Sequence, residues 1–443
     1  MQKLMLLLVS LVCGSLFAQS IPSNVHEMTL KNGMKVIVKE DNRAPIAVTM
    51  VWYKVGSADE PGGITGVSHA LEHMMFKGTK KFPAGVFSKT VALNGGQENA
   101  FTNYDYTAYF EKLAADRLAI SFQLEADRMK NLLLDENEFS KEIQVIKEER
   151  RMRTDDNPQS LTFERFLAAA HLASPYQHPV IGWMNDLDNM KITDLRRWYA
   201  RWYTPNNATL VVVGDVKPEK VFQLAQQYFG AIKPMPIPAK KAQLEPRPLG
   251  KKTVEVSAPA KLPFVMLGYS VPSVKTAQEP WQAYALEIIA GILDNGDSAR
   301  LAKQVVRGQQ VASFADVYYN LFARYDTQFI LYGTPAKNHD INDLEQALVD
   351  QVDTLKTTLV SQEELQRVKN QIIAEKVFQK DSVFGQAMEI GLLETVGLPW
   401  QESNDYVKKI NAITPEQIQA AAKMYFNDKR LTVAVLHPER RKS

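Results

Sequence analysis

Cysteine is almost absent from this 443-residue sequence, whose single copy is Cys13. A chain without a cysteine pair forms no internal disulfide, so its stability must come from its core. Beyond Ser20 no apolar run is long enough for a transmembrane helix. The sequence also has no large excess of one charge, since 52 basic residues are balanced by 50 acidic ones. This balance gives no reason to expect nucleic acid or an anionic membrane as a partner.

The first residues have the composition of an export signal. Lys3 supplies a positive start, residues 4–17 are mostly apolar, and Ala18 offers a small-residue cleavage site. The apolar stretch is too short to span a membrane, so a signal peptide is predicted over residues 1–18. A lipoprotein signal at Cys13 is the alternative, but Val12 stands where a small residue is expected. The mature protein is therefore expected to be periplasmic or secreted.

Two segments of the chain resemble each other. Each opens a helical pattern at a threonine, Thr193 or Thr414, and then reaches an apolar strand at Leu210 or Leu431. The spacing from threonine to leucine is the same in both copies, which lie about half the chain apart. Helix, turn and strand in this order are common in unrelated proteins. The equal spacing nevertheless favours a tandem duplication.

Prolines mark the boundary between the two halves. Five of them occur between residues 233 and 250. Since proline blocks helices and removes amide donors, a linker is predicted over 233–250. The predicted domains are then residues 22–232 and 251–443. Strand and helix patterns mix without strict alternation, which favours an α+β fold of two similar domains, each a mostly antiparallel sheet backed by helices.

The sharpest chemical signal is the segment His69-Ala70-Leu71-Glu72-His73. On a helix, His69 and His73 project from one face, so both imidazoles can bind one metal ion. Glu72 lies on the same face and can act as the base that takes a proton from metal-activated water. Two nitrogen ligands, a third protein ligand and an open position are what catalytic zinc requires. The H-x-x-E-H order is the inverzincin motif and predicts one Zn²⁺ per chain.

A glutamate-rich helical pattern supplies candidates for the third ligand. Glu142 and Glu149 are seven residues apart and therefore share a helix face. One of them can bind the metal, and the other can support a ligand from behind. Taken alone, such a charge-rich helix is more often a solvated surface. The pattern therefore does not decide which glutamate binds the metal.

With these motifs the sequence resembles the pitrilysin/insulinase family of zinc metallopeptidases. The resemblance is to its short two-domain branch, which includes mitochondrial processing peptidase and bacterial periplasmic zinc peptidases. In that family a stretch of nearly constant length separates the motif from a ligand glutamate, and the same spacing counted from His73 ends at Glu149. The resemblance implies that Glu149 is the third zinc ligand and that Glu142 supports the site. The run at residues 145–149 matches the family's V-I-x-E-E pattern and distinguishes Glu149 from Glu148.

Residues 99–102 resemble a family strand with the pattern N-A-x-T. The resemblance implies that the main chain at Asn99, Ala100 and Phe101 pairs with an extended peptide substrate, as in β-augmentation. The alternatives are that Asn99 is a turn residue and that Phe101 is a core aromatic. The family segment at residues 176–182 is interpreted as structural, with its histidine in a loop.

One family feature is incomplete. Active members carry an arginine and, seven residues later, a tyrosine that contact the substrate or its oxyanion. Arg307 matches the arginine and implies a substrate contact, but position 314 is Phe314, whose ring donates no hydrogen bond. Some bacterial relatives divide the site between two chains. The resemblance therefore implies a homologous second subunit that carries an Arg/Tyr pair, or a homodimer.

The sequence is thus interpreted as a zinc-dependent endopeptidase subunit that hydrolyses peptides or unfolded segments. One alternative is a processing peptidase that is specific for one exported precursor. Another is a non-catalytic binding subunit of a heterodimer. The intact residues His69, Glu72, His73 and Glu149 argue against the non-catalytic alternative.

Overall fold

A computed structural model describes residues 24–439 of the protein. The signal peptide predicted over residues 1–18 lies outside the described residues, and so does Cys13. Within the described range, no helix combines the length and the apolar character that a membrane span needs.

The first sheet has six strands in the order β1-β2-β6-β3-β5-β4. Its neighbours are antiparallel except for one parallel pair, β2 and β6. The central strand β6 is buried along its whole length, in keeping with its run of β-branched and aliphatic residues. The strands are β1 (Val25–Thr29), β2 (Lys35–Glu40), β3 (Ile46–Tyr53), β4 (Gln97–Thr102), β5 (Thr107–Ala114) and β6 (Ala208–Gly214).

The second sheet repeats this plan with five strands in the order β7-β11-β8-β10-β9. It also contains a single parallel pair, β7 and β11. The order and directions match those of the first sheet without its β1 edge, which confirms the predicted pair of similar α+β domains. The strands are β7 (Lys252–Ala258), β8 (Phe264–Val271), β9 (Ala312–Tyr318), β10 (Thr327–Pro335) and β11 (Leu431–Pro438).

Helices back both sheets. Those before the second sheet are α1 (Val67–Met74), α2 (Val86–Leu93), α3 (Leu118–Asn131), α4 (Glu136–Arg150), α5 (Pro158–Ala170), α6 (Met184–Asn189), α7 (Ile192–Trp202) and α8 (Pro218–Phe229). Those that follow are α9 (Pro280–Leu293), α10 (Ile341–Thr357), α11 (Gln362–Asp381), α12 (Val383–Val396), α13 (Glu402–Ala412) and α14 (Pro415–Tyr425). Two π-helical turns, Arg151–Asp155 and Leu301–Gly308, complete the set that matters for the site.

The two helix starts proposed for the repeat behave differently. Thr414 caps α14, since its hydroxyl oxygen accepts the N–H of Gln417. Thr193, in contrast, lies inside α7. There the carboxylate of Asp194 accepts the N–H of Lys191 and satisfies the first turn, so the helix begins before the threonine.

One helix from each half packs on the sheet of the other half. Helix α5 lies against β7, β8 and β11, whereas α12 lies against β3 and β6. Glycine permits both contacts, because a Cβ on Gly268 would overlap the Phe166 ring and one on Gly391 would overlap the Trp52 ring. The two domains are therefore interlocked, and each sheet buries apolar residues of the other half.

A buried ion cluster also joins the halves. Arg324, in the loop between β9 and β10, has a side chain that is 10% exposed. Its guanidinium pairs with Asp59 at 3.0 Å and with Asp105 at 3.1 Å, both in the first half. Lys240, from the predicted linker, pairs with Asp59 as well. Residues 234–249 contain neither helix nor strand, and the domain boundaries themselves stay predictions.

Candidate metal centre

The start of helix α1 is fixed by a buried carboxylate and a close backbone contact. Glu60 accepts the N–H groups of Gly66 at 2.6 Å and of Ser68 at 2.7 Å, which satisfies donors that a helix N-terminus leaves open. Gly66 has φ of 86°, and a Cβ there would lie 2.5 Å from the carbonyl oxygen of Ile181. Only glycine fits this position. The local structure thus sets the direction in which α1 projects its side chains.

Both motif histidines face a glutamate on helix α4. Atom Oε2 of Glu149 lies 3.7 Å from Nε2 of His69 and 3.5 Å from Nε2 of His73. The three candidate ligand atoms all lie within 4.8 Å of one another. Among the described residues, this is the group of histidine, cysteine and acidic side chains whose geometry suits a metal ion. Two imidazole nitrogens and one carboxylate oxygen form a donor set that catalytic zinc sites use.

Glu142 lies behind the centre. Its Oε1 is 2.9 Å from Nδ1 of His73, and its Oε2 is 2.5 Å from Nζ of Lys77. Burial would raise the pKa of Glu142, but the hydrogen bonds with Lys77 and His73 lower it overall. A carboxylate on the outer nitrogen of a ligating histidine fixes the ring and the tautomer. The structure therefore brings Glu142 and Glu149 beside the motif histidines, while the roles assigned to them stay predictions.

The two imidazoles have opposite electrostatic surroundings. Burial, together with the charge of His73, lowers the pKa of His69 to about 4. His69 is therefore neutral near pH 7, as a metal ligand must be. Its Nδ1 is buried and has no hydrogen-bond partner among the described residues. Burial also opposes the charge on His73, but hydrogen bonds with Glu149 and Glu142 raise its pKa.

Glu72 is next to the metal group without belonging to it. Its Oε2 accepts a hydrogen bond of 2.5 Å from Oγ1 of Thr102 at the end of β4. Burial raises the pKa of Glu72. The structure thus brings a carboxylate that is free of the ligand set to the side of the two histidines. The same bond links the centre to strand β4.

Strand β4 is the outer strand of the first sheet, paired on one side with β5. Asn103, just after the strand, donates its N–H to the carbonyl of Tyr106 and closes the hairpin. Because ladder bonds alternate along an antiparallel pair, the main-chain groups of Ala100 and Thr102 point to the open edge. The N–H of Ala100 is held there by the side-chain Oδ1 of Asn99 at 2.9 Å. An open edge of this kind can add the strand of a peptide.

A cavity of about 830 Å³ contains the centre. Its lining includes the predicted residues His69, Glu72, His73, Asn99, Ala100, Phe101 and Glu149. Arg307 and Phe314 are not among the lining residues. The Arg307 side chain is half-exposed at the end of the second π-helical turn and pairs with Asp297, while the Phe314 ring packs against Phe264 and Tyr332. A substrate contact of Arg307 therefore stays a prediction.

The structure also adds residues that the sequence reasoning did not assign to the site. Arg153, in the π-helical turn after α4, pairs with the second oxygen of Glu149 at 2.8 Å. Residues 177–181, which belong to the segment interpreted as structural, line the cavity. Arg153 lies four residues after Glu149, a spacing that can signal a helical ion pair. Residues 177–181 match a family segment, but no local pattern assigns them to the site.

Paired helix-borne histidines with a glutamate from a second helix, and a free carboxylate beside them, are the arrangement of the zinc peptidase class. Sequence comparison then gives the family. The description "Insulinase (Peptidase family M16)" matches residues 35–182, and "Peptidase M16 inactive domain" matches residues 189–372. The chain belongs to peptidase family M16.

Individual proteins that are similar to this chain agree with the family assignment. The chain is 34% identical to the zinc protease PqqE of Helicobacter pylori over 434 residues, which are 96% of this chain and 95% of that protein. The crystal structure of a protease from Helicobacter pylori superposes with a TM-score of 0.89 at 32% identity, over 94% of this chain and all of that one.

A longer protein shares the fold. The periplasmic protease PqqL from Escherichia coli superposes with a TM-score of 0.76 at 19% identity. The match covers 95% of this chain but 48% of PqqL. PqqL is therefore about twice as long as the part that corresponds to this protein.

Proposed function

We propose that this protein is a zinc-dependent endopeptidase that cleaves peptides or unfolded segments bound along β4. The observation that carries the proposal is the convergence of His69, His73 and Glu149 beside Glu72, which is itself bonded to the end of the edge strand. The names of the relatives as zinc proteases support it.

Bound zinc would supply the Lewis acidity that activates water and polarises the scissile carbonyl. The chain's own residues would do the rest. Glu72 takes the proton of the attacking water on a carboxylate oxygen and later gives it to the nitrogen of the leaving amine. Thr102 holds that carboxylate through its hydroxyl group. Glu142 keeps the His73 ring in the orientation that ligation needs.

The main chain of β4 would hold the substrate. Ala100 and Thr102 offer their N–H and C=O groups at the open edge, and such bonds recognise any extended peptide. Asn99 must release the N–H of Ala100 before a peptide can use it, because its Oδ1 occupies that donor. Since strand pairing requires an extended partner, a folded protein is a poor substrate.

We further propose that a second M16 subunit closes the site. Val145 on the cavity wall is 52% exposed, and Met152, seven residues further on, is 74% exposed, which leaves apolar surface for a partner to cover. The greater length of PqqL gives room for a second pair of domains in one chain. A homologous partner with an Arg/Tyr pair would supply the donor that Phe314 lacks, whereas a homodimer would supply Arg307 alone. The N-terminal sequence pattern supports an exported compartment for the assembly.

The decisive experiment separates ligands from the base. Purified protein should contain about one zinc per chain and cleave unstructured peptides. His69→Ala should lose zinc and activity together. Glu72→Gln should lose activity and keep zinc, because Glu72 lies outside the ligand set. Loss of zinc in Glu72→Gln, measured by metal analysis, would overturn the assignment of roles.

The alternatives give different results in the same assays. A precursor-specific processing peptidase would bind zinc but leave general peptide libraries uncut. A binding subunit would bind peptides without cleaving them, with or without a partner. For the partner itself, full turnover by a homogeneous preparation of this chain would refute the requirement for a second, different subunit.

A further inference from the structure

A second cavity lies between the two domains and adjoins the first. Its volume is about 110 Å³. Tyr104, Phe163 and Leu167 line both cavities, so the smaller one adjoins the cavity of the candidate metal centre. Its far wall comes from the second domain and includes Gln328 on β10.

Two buried uncharged side chains that line this cavity lack hydrogen-bond partners among the described residues, and Oδ1 of Asp105 is likewise without a hydrogen bond although it pairs with the charge of Arg324. Atom Nδ1 of His171 is one unpaired group, and the Oε1 and Nε2 atoms of Gln328 are two more. Both residues are only 3% exposed. Buried polar atoms are nearly always hydrogen-bonded, because each one left unpaired keeps the full penalty of its desolvation. Three such atoms around one cavity indicate that a polar group belongs there.

The electrostatic surroundings favour a neutral group. Asp105 also lines the cavity, but its charge is matched by Arg324 at 3.1 Å and its other oxygen accepts the hydroxyl of Tyr176 at 2.6 Å. Burial lowers the pKa of His171 to about 4, so its ring is neutral near pH 7. A charged ligand would be desolvated here without a free counter-charge.

The cavity is also in reach of a peptide on β4. Asn103, Tyr104 and Tyr106 form the turn after the strand and line the cavity. They follow directly after Thr102, which contacts Glu72. At about 3.3 Å per residue, a strand that passes Thr102 reaches the cavity roughly two to three residues from the scissile bond.

We propose that this interdomain cavity is a specificity subsite that takes a carboxamide side chain, glutamine or asparagine, of the bound peptide. The proposal rests on the proposed peptidase function. A carboxamide offers two donors and an acceptor. It can pair with both atoms of Gln328 and with Nδ1 of His171. An apolar side chain of the same size leaves those atoms unpaired, and a charged one is excluded by desolvation.

The size of the preference follows from the unpaired groups. Losing one or two buried hydrogen bonds should lower kcat/KM roughly 10–100-fold when glutamine is replaced by the similarly shaped methionine. The preference should appear at one position of the substrate and at no other.

The test uses Gln328→Met, which keeps the shape and removes both polar atoms. A position-scanned peptide library with glutamine, asparagine, methionine and leucine is cleaved by the zinc-loaded protein and by the variant. Wild type should prefer the carboxamides at one position, and Gln328→Met should lose or reverse that preference. The matched control is Gln351→Met in α10, another buried glutamine with an unpaired oxygen, which lies outside the lining and should keep the wild-type profile.

Binding separates this inference from the proposed function. Fluorescence anisotropy of the same peptides on the zinc-loaded Glu72→Gln protein reports selectivity whether or not peptides are cleaved. Selectivity for carboxamides that Gln328→Met abolishes supports the subsite, even if wild type cleaves nothing. Identical profiles for wild type and Gln328→Met, in binding or in cleavage, would overturn it and leave bound water as the occupant. Cleavage without such a preference would refute the subsite and not the peptidase.

Discussion

Replacing Glu142 by glutamine tests the link between geometry and metal affinity. The carboxylate lies 2.9 Å from Nδ1 of His73, pairs with Lys77 and is 13% exposed. Glutamine keeps an acceptor oxygen of similar shape but removes the negative charge that makes the imidazole a better donor to the metal. Zinc affinity should therefore fall roughly 10–100-fold, the range for groups that are hydrogen-bonded to a metal ligand. At about 1.36 kcal/mol per decade this is about 1.4–2.7 kcal/mol.

The assay is competition for zinc with a chromophoric chelator at fixed pH. Glu148→Gln is the matched control. Glu148 is also on α4 and directly precedes Glu149, but its side chain is 63% exposed and pairs with Arg151. It should bind zinc like the wild type. Glu149→Gln should be the most severe of the three, since it removes a ligand.

Two outcomes would refute this reasoning. If Glu142→Gln binds zinc as tightly as Glu148→Gln, the contact with His73 does not tune the metal. If Glu142→Gln is as severe as Glu149→Gln, the roles of the two glutamates are reversed. The thermal shift on adding zinc gives an independent reading, since a ligand that binds only the native state stabilises it.

The remaining predictions concern stability, each measured as the free energy of unfolding in urea. Arg324→Met should cost about 3–5 kcal/mol, because it leaves the buried Asp105 without its cation and Asp59 with Lys240 alone. Gly268→Ala should cost about 1–3 kcal/mol through its clash with Phe166, whereas Gly62→Ala, which meets nothing within 4 Å, should be nearly neutral. Burial lowers the pKa of His171 to about 4, so the unfolded chain binds more protons below about pH 6.5 and stability falls as the pH falls. At about pH 5 the free energy of unfolding of His171→Leu should therefore have fallen by about 2 kcal/mol less than that of the wild type. An equal pH dependence of the two proteins would contradict this.

Local spacing is enough to predict the core of the candidate site. An i, i+4 histidine pair and two glutamates seven residues apart each define one helix face, and in the structure these two faces meet. The choice of Glu149 over Glu142 as ligand came from the family spacing, because periodicity treats the two alike. The family pattern also prefers Glu149 to its neighbour Glu148, and the exposed position of Glu148 agrees with that preference.

What the sequence could not predict depends on contacts between distant residues. Nothing in the pattern of α12 indicates that Gly391 will sit on Trp52, which belongs to the other half of the chain. Likewise the sequence around Gln328 indicates only a strand, and it is the fold that places Gln328 and His171 in the lining of one cavity. Such pairings follow from tertiary packing, which local periodicity does not contain.

The exchanged helices give the half without metal ligands a structural part in the site. Helix α5 supplies the cavity wall at Ser160, Phe163 and Leu167, yet its opposite contacts are with the second sheet, where Phe166 is fully buried over Gly268. The wall of the candidate centre is therefore held by the domain that lacks ligands. Because that sheet is central to the placement of α5, the metal-bearing half is not a self-contained site, and the duplicated domain contributes through packing what it does not contribute through ligands.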